Sequence, residues 1–91
     1  MKADYKPHDG GTRRLLGQTI YNMRKVRGVS QERLGELAGI DRAYMGRIER
    51  GETSVGVDKI WAICDALDIT PAQLFGEAEQ PETPSDPVDI Q

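Results

Sequence analysis

The sequence predicts an all-α fold, a compact bundle of five short helices. Apolar residues recur at helical spacing through the middle of the chain, and glycines and helix-capping residues punctuate that pattern. No stretch alternates apolar and polar residues as a strand would. With 91 residues the chain is expected to form one domain. A core of about 60 residues buries only roughly 60% of its unfolded surface, so a second subunit would add stability.

The elements follow in order. Residues 1–11 carry Pro7, Gly10 and Gly11 without apolar periodicity and read as a flexible arm. Thr12 caps a first helix running to about Arg27, with Leu16, Ile20 and Met23 as its buried stripe. Gly28 ends it, and Val29 plugs the core. Ser30 caps a second helix with Leu34, Leu37 and Ala38 on one face, and Gly39 supplies the left-handed residue that stops it. Asp41 caps a third helix whose Met45 and Ile48 face inward, and Gly51 ends it. Glu52 to Gly56 form a loop pinned by Val55. A fourth helix spans roughly Val57 to Leu67, with Val57, Ile60, Cys64 and Leu67 as core stripe and Ile63 beside it. A short fifth helix starts near Thr70, where Pro71 suits the first helical position, and ends at Gly76. The structured domain is therefore expected over residues 12–76.

Residues 77–91 contain five acids, no base, and Pro81, Pro84 and Pro87. Such a segment buries too little apolar surface to offset its ordering entropy and is expected to be disordered. The proline spacing also fits a polyproline II peptide, so the tail is either a solvated appendage or a docking segment for a protein partner.

Several function classes fall away. No apolar run approaches the roughly 18 residues of a membrane span, and Met1 to Thr12 lacks a signal-peptide pattern, which predicts a cytoplasmic chain with no membrane partner. The single cysteine, Cys64, precludes an internal disulfide or a multi-cysteine metal site, and neither metal nor other cofactor is expected. The single histidine, His8, lies in the flexible arm, and no hydroxyl or thiol nucleophile has a plausible base nearby in sequence, so enzyme activity is not expected.

The net charge of −3 conceals a segregation. Residues 12–51 hold nine basic and four acidic side chains, whereas residues 52–91 hold one basic and nine acidic. Local charge governs association with a polyanion, and the positive half coincides with the second and third helices.

Two helices joined by a three-residue turn form the supersecondary unit that docks a helix in the DNA major groove. At about 100° per residue, Ala43, Arg47, Arg50, Gly46 and Arg42 lie opposite Met45 and Ile48. This face carries three guanidinium groups and two residues with almost no side chain. Small residues let the helix sink into the groove. Arginine can pair with O6 and N7 of guanine, and an alanine methyl packs on a thymine methyl. Arg42, Ala43 and Arg47 are the expected base readers of double-stranded DNA. Ser30, Gln31, Tyr44, Arg50, Thr53 and Ser54 are assigned to the backbone, Gln31 because the helix N-terminus behind it favours a phosphate. Arg24 and Glu49 border the buried sides of the first and third helices and are expected to form an ion pair. Trp61, at the edge of the fourth helix's stripe, with Leu74 and Phe75, is assigned to a homodimer contact.

These residues resemble the Cro/repressor-type, or xenobiotic-response-element, helix-turn-helix family, whose domain is lambda-repressor-like. The resemblance rests on Ser30-Gln31, Leu34, Ala38-Gly39-Ile40, Tyr44 and Ile48-Glu49-Arg50-Gly51. Ile60, Ile63, Ala66-Leu67 and Leu74-Phe75 extend it, so that it covers about residues 14–76. It implies a five-helix bacterial or phage transcription regulator, dimeric on a palindromic operator. Gln31, Arg42, Ala43 and Arg47 then fall on DNA-contacting positions, and Arg24 and Glu49 on the helix-linking ion pair. Many members have proline where this chain has Val55, and a serine or threonine at Gly56. The Val55 form is similar to the short controller proteins of restriction–modification systems. Gly35 stands where alanine is common, which costs about 1 kcal/mol of helix stability and lets another group approach closely. Two other readings of the same fold are an autoregulating antitoxin and a protein–protein adaptor, the latter disfavoured by the arginine-rich face.

Overall fold

A computed structural model of the chain describes residues 11–79, which form five helices and no strand. The helices are α1 (Gly11–Val26), α2 (Gln31–Ala38), α3 (Arg42–Arg50), α4 (Val57–Leu67) and α5 (Pro71–Glu79). Of the expected arm over residues 1–11, all but Gly11 lies outside the described residues, as do residues 80–91 of the expected tail over 77–91; Gly11 and residues 77–79 are helical.

Local chemistry sets most of the boundaries. The Ser30 hydroxyl accepts the Arg33 N–H at 3.0 Å, and the Asp41 carboxylate accepts the Tyr44 N–H at 3.1 Å, each satisfying a donor that the first helical turn leaves open. Thr70 and Gln73 form a reciprocal cap that spacing alone did not single out. The Gln73 N–H donates to the Thr70 hydroxyl and the Thr70 N–H donates to the Gln73 side-chain oxygen.

The C-termini share one device. Gly28, Gly39 and Gly51 adopt left-handed φ values of 70°, 70° and 74°, and Asp68 does the same at 58°. In each case the next N–H reaches back along the helix, as from Val29 to the Arg24 carbonyl and from Ile40 to the Gly35 carbonyl. The residues delivering those bonds include Val29, Ile40 and Ile69, and all three pack into or against the core. Three of the four stop signals thus also drive an apolar plug inward, the exception being Gly51, which Glu52 follows.

The core comprises Ile20, Leu34, Ile40, Met45, Ile48, Ile60, Ile63, Cys64, Leu67, Ile69 and Leu74, with Leu16, Met23, Ala38 and Val55 against it. Helix α1 packs on α3 and α5, and α2 packs on α4 and α3. Burial raises the pKa of the Cys64 thiol, consistent with a small apolar core residue.

Five expectations are corrected. Leu37 is 47% exposed, because α2 turns Gly35 inward, where the Ile40 carbonyl oxygen lies 2.6 Å from the position a Cβ would occupy. Val57, the first residue of α4, is exposed, and Ile63 is fully buried in its place. Helix α1 begins at Gly11, so Thr12 lies within it. Helix α5 continues to Glu79 and buries Ala78. That extension aligns Leu74 with Ala78 as one buried stripe, and Leu74 is entirely inside the core of a single chain. It therefore offers no side chain to a dimer surface, whereas Trp61 and Phe75 remain exposed.

Candidate nucleic-acid interface

The three-residue turn Gly39-Ile40-Asp41 fixes α3 against α2 and leaves one side of α3 open. Met45 and Ile48 anchor the other side in the core. Arg42, Ala43 and Arg47 are all exposed. With Gln31, Gly46 and Arg50 they line an open depression of about 540 Å³.

The inner border of α3 is held by a buried network. Arg24 donates twice to the Glu49 carboxylate, at 2.6 and 2.9 Å, and once to the Val29 carbonyl at 3.0 Å. The two charged side chains are 8% and 4% exposed. Hydrogen bonding to Glu49 raises the Arg24 pKa above its ordinary value. The Arg24 guanidinium also stands 5.1 Å over the Tyr21 ring. Gln31, at the first position of α2, donates its side-chain amide to the same Glu49 carboxylate at 3.0 Å. One carboxylate thus ties α1, α2 and α3 together.

Close backbone approach reinforces this junction. A Cβ at Gly17 would collide with the carbonyls of Ile48 and Glu49 at the end of α3. Gly17 in mid-helix was the available sequence signal, since glycine there weakens a helix unless contact demands it.

The outer side is less restrained, and two features differ from the helical projection. Gly46 is buried, because the Arg50 side chain folds back across it to within 3.1 Å of a Cβ position. Glu52 holds Arg50 there through two bonds of 2.8 and 3.2 Å, raising the Arg50 pKa and lowering that of Glu52. The projection could not show this, since Glu52 lies beyond the helix.

Three of the four hydroxyl-bearing candidates have internal partners for their hydroxyls. Ser30 is occupied as a cap, Tyr44 donates its hydroxyl to the Ser54 carbonyl at 3.3 Å, and Thr53 donates to that carbonyl at 3.3 Å. Arg42 stands 4.0 Å from Glu32, with both side chains well exposed. Arg14, Gln18 and Tyr21, which sequence reasoning passed over, line an adjoining depression with Arg24, Gln31, Glu49 and Arg50. Their i, i+4, i+7 spacing on α1 was the legible signal. Among the described residues, no group of three or more His, Cys, Asp or Glu is placed to hold a metal ion, and no helix is long and apolar enough to cross a membrane.

A capped two-helix unit, with its second helix anchored on one side and arginine-rich on the other, defines a helix-turn-helix protein. The helix-turn-helix family model HTH_3 matches residues 20–74, and the chain belongs to that family in its xenobiotic-response-element form. It is 39% identical over 72 residues to the HTH-type transcriptional regulator SutR of Escherichia coli (strain K12), a match spanning 79% of this chain and 40% of that protein. It is 30% identical over 61 residues to the control protein C.SmaI of Serratia marcescens, covering 67% of this chain and 73% of the other. The crystal structure of the restriction-modification controller protein C.AhdI from Aeromonas hydrophila superposes with a TM-score of 0.67 at 42% identity, covering 68% of this chain and 94% of that one. These relatives are, by name, a transcriptional regulator and two controller proteins, and the chain spans 40% of the first of them.

Proposed function

We propose that the chain binds double-stranded DNA sequence-specifically as a cytoplasmic homodimer, places α3 in the major groove of a two-fold-related operator, and regulates transcription. The observation that carries the reading is the open side of α3. There, Arg42, Ala43 and Arg47 are exposed on a helix whose opposite side is fixed by the core and by the Arg24–Glu49–Gln31 network. Arg42 and Arg47 reach base edges, and Ala43 leaves room for the helix to approach. The N-terminus of α2, behind Gln31, faces a phosphate. Ser30, Arg50, Thr53 and Ser54 flank it as backbone contacts. The likeness to the controller proteins C.SmaI and C.AhdI supports a regulator of that kind.

With one recognition helix per chain, two copies must present their helices to one face of B-DNA, about 34 Å or 10 bp apart. Trp61, 53% exposed, and Phe75, 42% exposed, supply the apolar surface for pairing. Selection of bound sequences from random duplexes tests the reading. Two inverted half-sites centred about 10 bp apart are expected. A single unrepeated half-site would remove the dimeric part, and no enrichment would remove sequence-specific binding.

A further inference from the structure

We infer that Tyr44 is a positioning residue, aiming the Arg47 guanidinium at its base and tying that aim to the loop carrying Thr53 and Ser54. The inference rests on Arg47 being a base reader, as proposed above.

The four arginines of α2 and α3 are held in two different ways. Arg33 pairs with Glu36, Arg50 with Glu52, and Arg42 lies at the outer limit of an ion pair with Glu32. Arg47 makes no ion pair among the described residues. Its guanidinium carbon stands 5.7 Å over the Tyr44 ring. Glu52 lies near enough for the Arg47 charge to lower its pKa, yet it is engaged by Arg50 through both oxygens.

The distinction matters because an ion pair must be broken before an arginine can take a guanine edge, and breaking it exposes a carboxylate to the phosphates. An aromatic face holds the guanidinium without using its donors or cancelling its charge. Arginine is long and rotamer-rich, so holding it beforehand reduces the ordering cost at the moment of recognition. The ring itself is fixed at both ends. Its body packs against the core, and its hydroxyl donates to the Ser54 carbonyl. A shift of the loop at residues 53–54 on phosphate contact would therefore move the platform under Arg47. On this reading Tyr44 acts through Arg47 and the loop, and its hydroxyl is not the phosphate donor first assigned to it.

The test measures base preference on duplexes varied at each position of the selected site, using full-length wild-type protein, Arg47→Ala, Tyr44→Phe, Tyr44→Leu and the double variant Tyr44→Leu/Arg47→Ala. Arg47→Ala identifies the position it reads. Tyr44→Phe keeps the ring and should preserve discrimination there, with an affinity loss of similar size on all sequences. Tyr44→Leu keeps apolar bulk and loses the ring, so discrimination at that position should fall about two- to fivefold, the effect expected of an exposed cation–π contact. In the Arg47→Ala background Tyr44→Leu should remove no further discrimination.

Three results would overturn the role. Tyr44→Leu could leave discrimination unchanged, Tyr44→Phe could lose as much as Tyr44→Leu, or the Tyr44→Leu loss could fall at a different base and so mark a direct contact. If Arg47→Ala alters no position, the base-reading assignment fails and the role of Tyr44 fails with it. Tyr44→Leu alone without effect sinks only the role of Tyr44. A readout independent of any variant's folding is the Arg47 side-chain proton shift in the wild type. A ring-current displacement is expected, and its absence would contradict the stacked geometry.

Discussion

The two sides of α3 are built on opposite principles. On the inner side, Arg24 and Glu49 are hydrogen-bonded to each other and largely removed from solvent, the half-buried Gln31 bonds to the same carboxylate, and α1 comes so close that only glycine fits at position 17. On the outer side, the arginines are exposed and held by single weak partners: a distant carboxylate for Arg42, a neighbouring exposed acid for Arg50, a ring face for Arg47. The difference teaches how one short helix can be both rigid and adaptable. Its axis is fixed where a charge cannot leave without a large penalty, and its exposed arginines stay in water, where changing partners is cheap.

The largest expected effect breaks the inner side. Glu49→Ala leaves the Arg24 guanidinium without its principal partner, and Arg24→Ala leaves a buried carboxylate with Gln31 as its remaining donor. Each should cost about 3–5 kcal/mol in urea unfolding, because the surviving charge is poorly solvated. Replacing both with apolar residues, as in Arg24→Met/Glu49→Leu, should recover much of that loss. By contrast, Glu52→Ala on the exposed Arg50 pair should leave the unfolding midpoint unchanged. A small loss in Arg24→Ala would show that the inner side is no more constrained than the outer one.

The second effect sharpens the outer side. Arg47→Ala should relax preference at one base position and cost about 1–3 kcal/mol of binding to the selected site. Gln31→Ala should weaken all sequences by similar factors, since its amide lies at a helix N-terminus and bonds to Glu49. Competition among duplexes varied one position at a time separates the two patterns. Unchanged preference in Arg47→Ala would count against α3 as the reader.

What was legible in the sequence divides along the same line. Caps and stops are short-range chemistry, and Ser30, Asp41, Gly39 and Gly51 act as their residue types suggest. The Arg24–Glu49 pair was readable because each residue borders its helix's apolar stripe. The outer side was only partly readable. A helical projection gives directions within one helix and is blind to what lies outside it. It placed Gly46 in the open because it could not show Arg50 drawn back across it by Glu52. It set Leu37 inward because it could not weigh the Ile40 carbonyl against Gly35. The misassignment of Leu74 follows from a boundary. With α5 stopped at Gly76 the Leu74–Ala78 stripe is invisible, and a buried leucine reads as a surface one.

The smallest effect concerns charge far from both sides. Helix α5 buries Ala78 and reaches Glu79, so the useful truncation removes residues 80–91 and not the whole of 77–91. That deletion removes Glu82, Asp86 and Asp89 without a base, taking the formal charge from −3 to zero. The unfolding midpoint should not change, because no buried residue is lost from the described helices. Binding to random duplex should tighten at low salt, where the excess acidic charge repels phosphates over long distances, and hardly change near physiological salt, where screening acts beyond about 8 Å. Parallel titrations of full-length and truncated protein at two salt concentrations measure the difference. Equal affinities at low salt would remove the electrostatic role and favour a docking or inert segment. Tightening that persists undiminished at high salt would point instead to short-range contact between these residues and the basic outer side of α3, and so make the exposed arginines of that helix a partner of their own chain.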